Sequence, residues 1–294
     1  MQTLPASKGF LGITEKPTDD KSKPKVVVIP FGVEKSVSYG GGTAAGPEAM
    51  ISASHEVELF DEELWEEPFR KFRLTTLKKF PIEKKLSAAI TQLEKIVGEV
   101  LEQNQFPLIF GGEHSLTPGV VNAITKKFGE ISILHFDAHA DLRDGYLGEK
   151  FSHAAAMQRC LDNPKVKKLV SVGIRNLSEA EAKFIPTQKH RLKIFWAHEK
   201  KDWKTKEIVH ALGKHPVYIS FDLDAFDSSL MPATGTPEPG GLFWHETLTI
   251  LRAVSKKKKI IGVDIVELAP KKNLEACDFL AAKLAYKILS YIRW

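Results

Sequence analysis

The sequence predicts an α/β fold with a mostly parallel sheet covered on both faces by helices. Short apolar runs alternate with helical stretches along nearly the whole chain, the pattern of repeated strand–helix units. No Pro/Ser-rich linker splits the chain into halves, and no internal repeat is present. Clusters of His and Asp follow several of the runs directly. In an open α/β sheet these positions lie at the carboxyl edge, where sites are built.

The elements follow in order. The first strand is 26–30, leading into Phe31-Gly32. Ser38-Tyr39-Gly40-Gly41-Gly42-Thr43 then reads as a tight rim loop, since consecutive glycines admit backbone angles closed to other residues. It lacks the GxxxxGK pattern of a phosphate loop. Pro47 suits the first turn of a helix through Ala49, Met50 and Ile51. Residues 55–80 are charged and irregular, and an excursion around the sheet edge is expected there. Leu86, Ile90, Leu93, Val97 and Leu101 recur on a helical period and leave Glu94, Lys95 and Glu102 outward, which makes an amphipathic helix. Strand 107–110, helix 119–127 and strand 131–136 follow. Helix 154–161, strand 169–174, helix 179–184, strand 192–196 and helix 203–212 come next. Strand 217–221, helix 246–254, strand 260–266 and a closing helix 274–291 complete the alternation.

At 294 residues the chain can bury a sizeable core. Its 43% hydrophobic and 27% charged residues are ordinary for a globular protein. No apolar run reaches the length of a membrane span. Residues 1–22 are polar, contain prolines and lack an apolar signal core; they read as a partly ordered leader, with one domain over 23–294. The formal charge of +5 is modest. Lys256–Lys259 reads as a solvated helix end, and nucleic-acid binding would require a broader basic and aromatic surface. Cys160 and Cys277 form no CxxC pair and fit a reducing, cytoplasmic setting.

Three clusters carry the chemistry. Asp137, His139 and Asp141 alternate with alanines after strand 131–136, and an extended backbone would turn all three to one side. His114 follows strand 107–110 in Gly111-Gly112-Glu113-His114-Ser115. Asp222 and Asp224 follow strand 217–221, again on one side if extended. These six donors are too many for one catalytic ion with an open position and suit two ions sharing carboxylates. Oxygen-rich ligation favours Mn²⁺ or a similar ion over a cysteine-type zinc site, and four aspartates balance two divalent charges. His135 is assigned to the opposite phase of its strand, packing or hydrogen-bonding there.

Taken together, Gly111-Gly112-Glu113-His114-Ser115, Asp137-Ala138-His139-Ala140-Asp141 and Ser220-Phe221-Asp222-Leu223-Asp224 resemble the metal motifs of the arginase/agmatinase (ureohydrolase) family. The likeness runs from Gly41-Gly42-Thr43 through Gly173-Ile174-Arg175 to Asp264-Ile265-Val266-Glu267. It implies a three-layer α/β/α fold with about eight mostly parallel strands and two Mn²⁺ per subunit. By resemblance His114 and Asp141 hold one ion, His139 and Asp224 the other, and Asp137 and Asp222 bridge them. Asp141, His153 and Glu267 take catalytic roles: Glu267 orients the guanidinium, while Asp141 and His153 move protons. The motif pattern is nearest to agmatinases, which implies agmatine plus water going to putrescine plus urea in polyamine biosynthesis. Guanidinobutyrase, arginase and formiminoglutamase activities are the alternatives, as is a metal-binding regulatory or interaction protein without turnover. Ala154-Ala155-Ala156 departs from the Gly-Thr-Pro common in agmatinases. The resemblance also implies a homotrimer or homohexamer, while the modest charge and the lack of a long apolar run argue for no nucleic acid and no membrane partner.

Overall fold

The computed structural model describes residues 1–13, 20 and 22–294. Its centre is one eight-stranded sheet in which every pairing is parallel. The strands are β1 (Lys25–Phe31), β2 (Arg73–Thr76), β3 (Phe106–Gly111), β4 (Ile131–Phe136), β5 (Val166–Ile174), β6 (Leu192–Trp196), β7 (Val217–Asp222) and β8 (Ile260–Val266). Their order across the sheet is β2-β1-β3-β8-β7-β4-β5-β6.

Helices α1 (Gly46–Ala53), α2 (Leu86–Glu102), α3 (Thr117–Phe128), α4 (Ala156–Leu161), α5 (Glu179–Phe184), α6 (Thr205–Ala211), α7 (Trp244–Lys257) and α8 (Glu275–Tyr291) flank the sheet. Successive residues of one strand serve opposite layers, as the two-residue period requires. Val26 and Val28 of β1 join the core beneath α1, α6, α7 and α8. Val27, Ile29 and Phe31 join the core beneath α2, α3 and α4. Burial on both faces explains why these strands read as unbroken apolar runs. The three-layer α/β/α expectation therefore holds, as does each expected helix within a few residues of its limits.

Two segments differ from expectation. The eighth strand, β2, lies inside the charged excursion. It is short, only half buried, and pairs along one edge, so it carries no long apolar run to announce it. The start of the chain is also more ordered than a polar leader suggests. Phe10 and Leu11 are buried, Phe10 meets the Phe110 ring edge-on at 5.0 Å, and Thr3 bridges Leu77. The Phe10 and Leu11 amides donate to Thr76 Oγ1 and Ser54 Oγ at 2.9 and 2.8 Å. The remainder of the expected leader, 14–19 and 21, lies outside the described residues.

The glycine loop before α1 cradles a carboxylate of the chain itself. Glu34 accepts from the Gly42 and Ala44 amides at 3.1 and 2.7 Å and from Thr43 Oγ1 at 3.2 Å. A second glycine sets the spacing of the strand ends. A Cβ on Gly112 would lie 2.0 Å from the Val33 carbonyl oxygen, so the chains leaving β1 and β3 touch there. Gly112→Ala is expected to destabilise the fold by about 1–3 kcal/mol through overpacking, read as a lower denaturant midpoint. An unchanged midpoint would show that this contact yields.

Candidate metal centre

The four central strands, β3, β8, β7 and β4, end side by side and deliver their next residues to one place. His114 opens a 3₁₀ turn after β3, and residues 137–141 follow β4. Asp222 closes β7, Asp224 sits in the turn Leu223–Ala225, and Glu267 follows β8. All of them except His139 are buried.

His114 Nδ1 lies 3.0 Å from Asp141, 3.1 Å from Asp137 and 3.4 Å from Asp222. It makes no hydrogen bond of normal geometry. His139 Nδ1 lies 2.9 Å from Asp224 and 3.5 Å from Asp137. Asp137 thus faces both histidines, Oδ2 towards His114 and Oδ1 towards His139. The structure brings the six predicted donors together, but by loops where extended backbone was expected. β4 stops at Phe136, and Asp141 has a left-handed φ of 52°. Its carbonyl is held by the Met157 and Gln158 amides at 3.0 and 3.1 Å. Asp222 and Asp224 are likewise related by a turn, in which the Asp224 amide donates to Asp222 Oδ1 at 2.8 Å.

The electrostatics show what the cluster lacks. Burial opposes charge on His114, yet the carboxylates of Asp137, Asp141 and Asp222 prevail and hold its pKa well above normal. His139 is raised to about 12 in the same way, burial being overcome by Asp224 and Asp137. Burial, then Asp224 and Asp137, push Asp222 well above the carboxylate range; burial and Asp137 raise Asp141. Burial also opposes charge on Asp137, but His135, His114 and His139 hold its pKa well below normal. Aspartates crowded in a dry site draw positive charge wherever it is available. Histidine protons meet that demand here, and divalent cations would meet it more fully. The donor set therefore fits metal ions.

A second ring of residues orients the first. His114 Nε2 lies 2.9 Å from Ser220 Oγ, which donates to Asp264 Oδ1 at 2.7 Å. The serine proton is thereby committed, so Nε2–H is the donor and Nδ1 is the nitrogen turned to the carboxylates, where a cation taking the place of its proton would find a lone pair. Asp264 also accepts from Thr117 Oγ1 at 2.8 Å and Tyr218 OH at 2.5 Å. Sequence reading assigned Asp264 no role. The available signal was an aspartate within the wholly buried apolar run of β8, where a charge requires several donors. His135 corrects an expectation: two residues before Asp137, it shares that residue's side of the strand, and its Nε2 lies 2.8 Å from Asp137 Oδ2.

Above the cluster opens a cleft of about 260 Å³ lined by Tyr39, Arg143, His153, Asn176, Thr234 and Glu267, among others. Glu267, with φ 66°, accepts the His114 amide at 2.7 Å, and burial raises its pKa well above normal. His153 Nδ1 lies 3.2 Å from Ser36 Oγ. Ser36 is itself held by the buried Glu113 carboxylate at 2.7 Å from its amide. Arg175 braces the loops by donating to the carbonyls of Asp224, Phe226 and Glu238 at 2.7, 3.1 and 2.8 Å.

Comparison with known proteins bears on what this geometry belongs to. The family model described as "Arginase family" matches residues 24–290. An N(1)-aminopropylagmatine ureohydrolase of Synechocystis is 34% identical over 90% of this chain and 88% of its own length. An agmatinase of Bacillus cereus is 30% identical over 90% of each chain. Among solved structures, proclavaminate amidino hydrolase of Streptomyces clavuligerus superposes with a TM-score of 0.87 at 25% identity, covering 97% of this chain and 96% of that one. A family match over nearly the whole sheet, joined to a His/Asp cluster at its carboxyl edge, leads to one conclusion: this chain belongs to the arginase family.

Proposed function

We propose that this protein hydrolyses the guanidinium group of a linear guanidino amine, agmatine or its N1-aminopropyl derivative, releasing urea and the corresponding amine. The observation that carries this is the buried cluster in which Asp137 faces both histidines beneath the cleft. His114 and Asp141 would hold one Mn²⁺, His139 and Asp224 a second, with Asp137 and Asp222 shared. Bound there, such a pair makes water a nucleophile at neutral pH.

The chain's own residues supply the rest. A guanidinium carbon is a poor electrophile because resonance spreads its charge, so placement matters. Glu267 is fixed through one oxygen by the His114 amide and offers the other to the substrate. A cationic partner restores the carboxylate that burial disfavours and forms charge-assisted hydrogen bonds. Asp141 accepts the proton of the attacking water as the general base. His153, oriented by Ser36, helps relay that same proton from Asp141 to the departing nitrogen once the water oxygen has bonded to the guanidinium carbon. The C–N bond to the amine then breaks, its electron pair staying on that nitrogen.

The choice of a guanidino amine is supported by relatives named N(1)-aminopropylagmatine ureohydrolase at 34–36% identity. A carboxylate-ended guanidino acid is the second reading, favoured by Arg143 on the cleft wall and by a relative named guanidinobutyrase at 29% identity. The proposal includes assembly as a homotrimer or homohexamer in a cytoplasmic setting.

Metal-free protein titrated with Mn²⁺ in a calorimeter is expected to bind two ions per chain. The loaded protein should turn over agmatine or aminopropylagmatine fastest when urea release is assayed beside guanidinobutyrate and arginine, and formamide release from formiminoglutamate. Preference for guanidinobutyrate would install the second reading, and two bound ions without turnover would leave a metal-binding protein. Asp141→Asn and Glu267→Gln should each lower kcat/KM by roughly a hundredfold or more, and activity near wild type in either would remove that residue's role. Asp264→Asn or Ser220→Ala should weaken Mn²⁺ binding by about 10–100-fold through misorientation of His114; unchanged affinity would show that the imidazole is held without them.

A further inference from the structure

The amino edge of the sheet, opposite the metal centre, carries a second cavity of about 560 Å³. It opens between the starts of β1, β3 and β8 and the ends of α2, α3, α7 and α8. Strands of this length put it roughly 20 Å from the cluster. Six cationic side chains line it: Lys127, the run Lys256–Lys259, and Arg293. No acidic side chain does so. Among the described residues none of these six forms an ion pair. Lys127 reaches Asn104 Oδ1 at 2.9 Å, Lys258 donates to the Gly213 carbonyl, and Lys259 lies 5.8 Å above the Phe128 ring.

Helix ends explain only part of this concentration. Each carboxyl end carries about half a negative charge, so the four ends meeting here offset about two of the six cations. Lys258 and Lys259 lie beyond α7. Beneath the cationic rim the floor is apolar: Phe106, Phe128, Ile292 and Trp294, with Trp294 meeting Phe106 edge-on at 5.2 Å. A cleft of one sign of charge raises the local concentration of its counter-ion. An apolar body with a few directed polar groups, at this volume, is the usual form of a small-molecule site.

The geometry points to a binding site for a nucleoside polyphosphate, its ring on the aromatic floor and its phosphates on Lys256–Lys259 and Arg293. The ring requirement separates this ligand from a bare phosphate, and the cationic rim separates it from a neutral nucleoside. The site is independent of the reaction proposed above, because it shares no residue with the cleft over the metal centre.

The test is calorimetric titration of the full Mn²⁺-loaded protein with magnesium ATP, adenosine and inorganic triphosphate at low and high salt. Magnesium ATP is expected to bind with an affinity that falls steeply as salt rises, and at least about tenfold more tightly than either fragment. The double variant Lys256→Ala/Lys257→Ala, at two exposed positions, should lose about tenfold or more in affinity and keep its urea release unchanged. Absence of ATP binding at low salt would overturn the proposal. So would equal binding of triphosphate and ATP, equal affinity in the double variant, or binding only to vesicles of anionic lipid.

Discussion

Four aspartates buried beside two histidines at the end of one sheet are the constraint on which the rest of the site depends. Carboxylates out of water repel one another, and each must find a donor or a cation. Backbone amides meet part of that need: His139 donates to Asp137 at 2.6 Å and Ala138 to Asp224 at 2.9 Å. The histidines meet more of it by holding protons far above their ordinary range. What these groups leave unmet defines the chemistry, because a divalent cation is the partner such a cluster is best built to receive.

That constraint accounts for structure well outside the cluster. Asp141 and Glu267 adopt left-handed backbone angles, which cost of order 1–3 kcal/mol each in residues with a Cβ. The Asp141 carbonyl is accordingly clamped by the start of α4, and Glu267 is tied to Gly112 by its own amide at 2.8 Å. Asp264, Ser220, Thr117 and Tyr218 form a buried network that holds one imidazole ring in orientation. Arg175 performs the comparable task for the β7 loop with carbonyl oxygens alone. Rigid strands carry the site, and irregular loops turn its side chains inward.

Burial divides the two cavities sharply. The metal-centre cleft is polar, narrow and rich in titratable groups, suited to a reaction. The amino-edge cavity is wider, apolar at its floor and cationic at its rim, suited to holding an anion. They lie at opposite ends of the same strands.

Seven of the eight strands and the helices between them were legible because a sheet buried on both faces requires continuous apolar runs and its covering helices an apolar stripe. The convergence of the six donors was legible because each group directly follows such a run; the resemblance of the three motifs then named the family. The edge strand β2 was not legible, since half-exposed edge strands need no apolar run. Nor was the packing of Phe10 and Leu11, because two apolar residues in a polar stretch show no period. The tertiary structure alone decided that β3, β8, β7 and β4 are neighbours, which brings His114 and Glu267 together across 153 positions. It alone placed His135 against Asp137 and gave Asp264 its four-membered network. Strand order and side-chain direction beyond a strand's end depend on long-range packing, and no local pattern of residues encodes them.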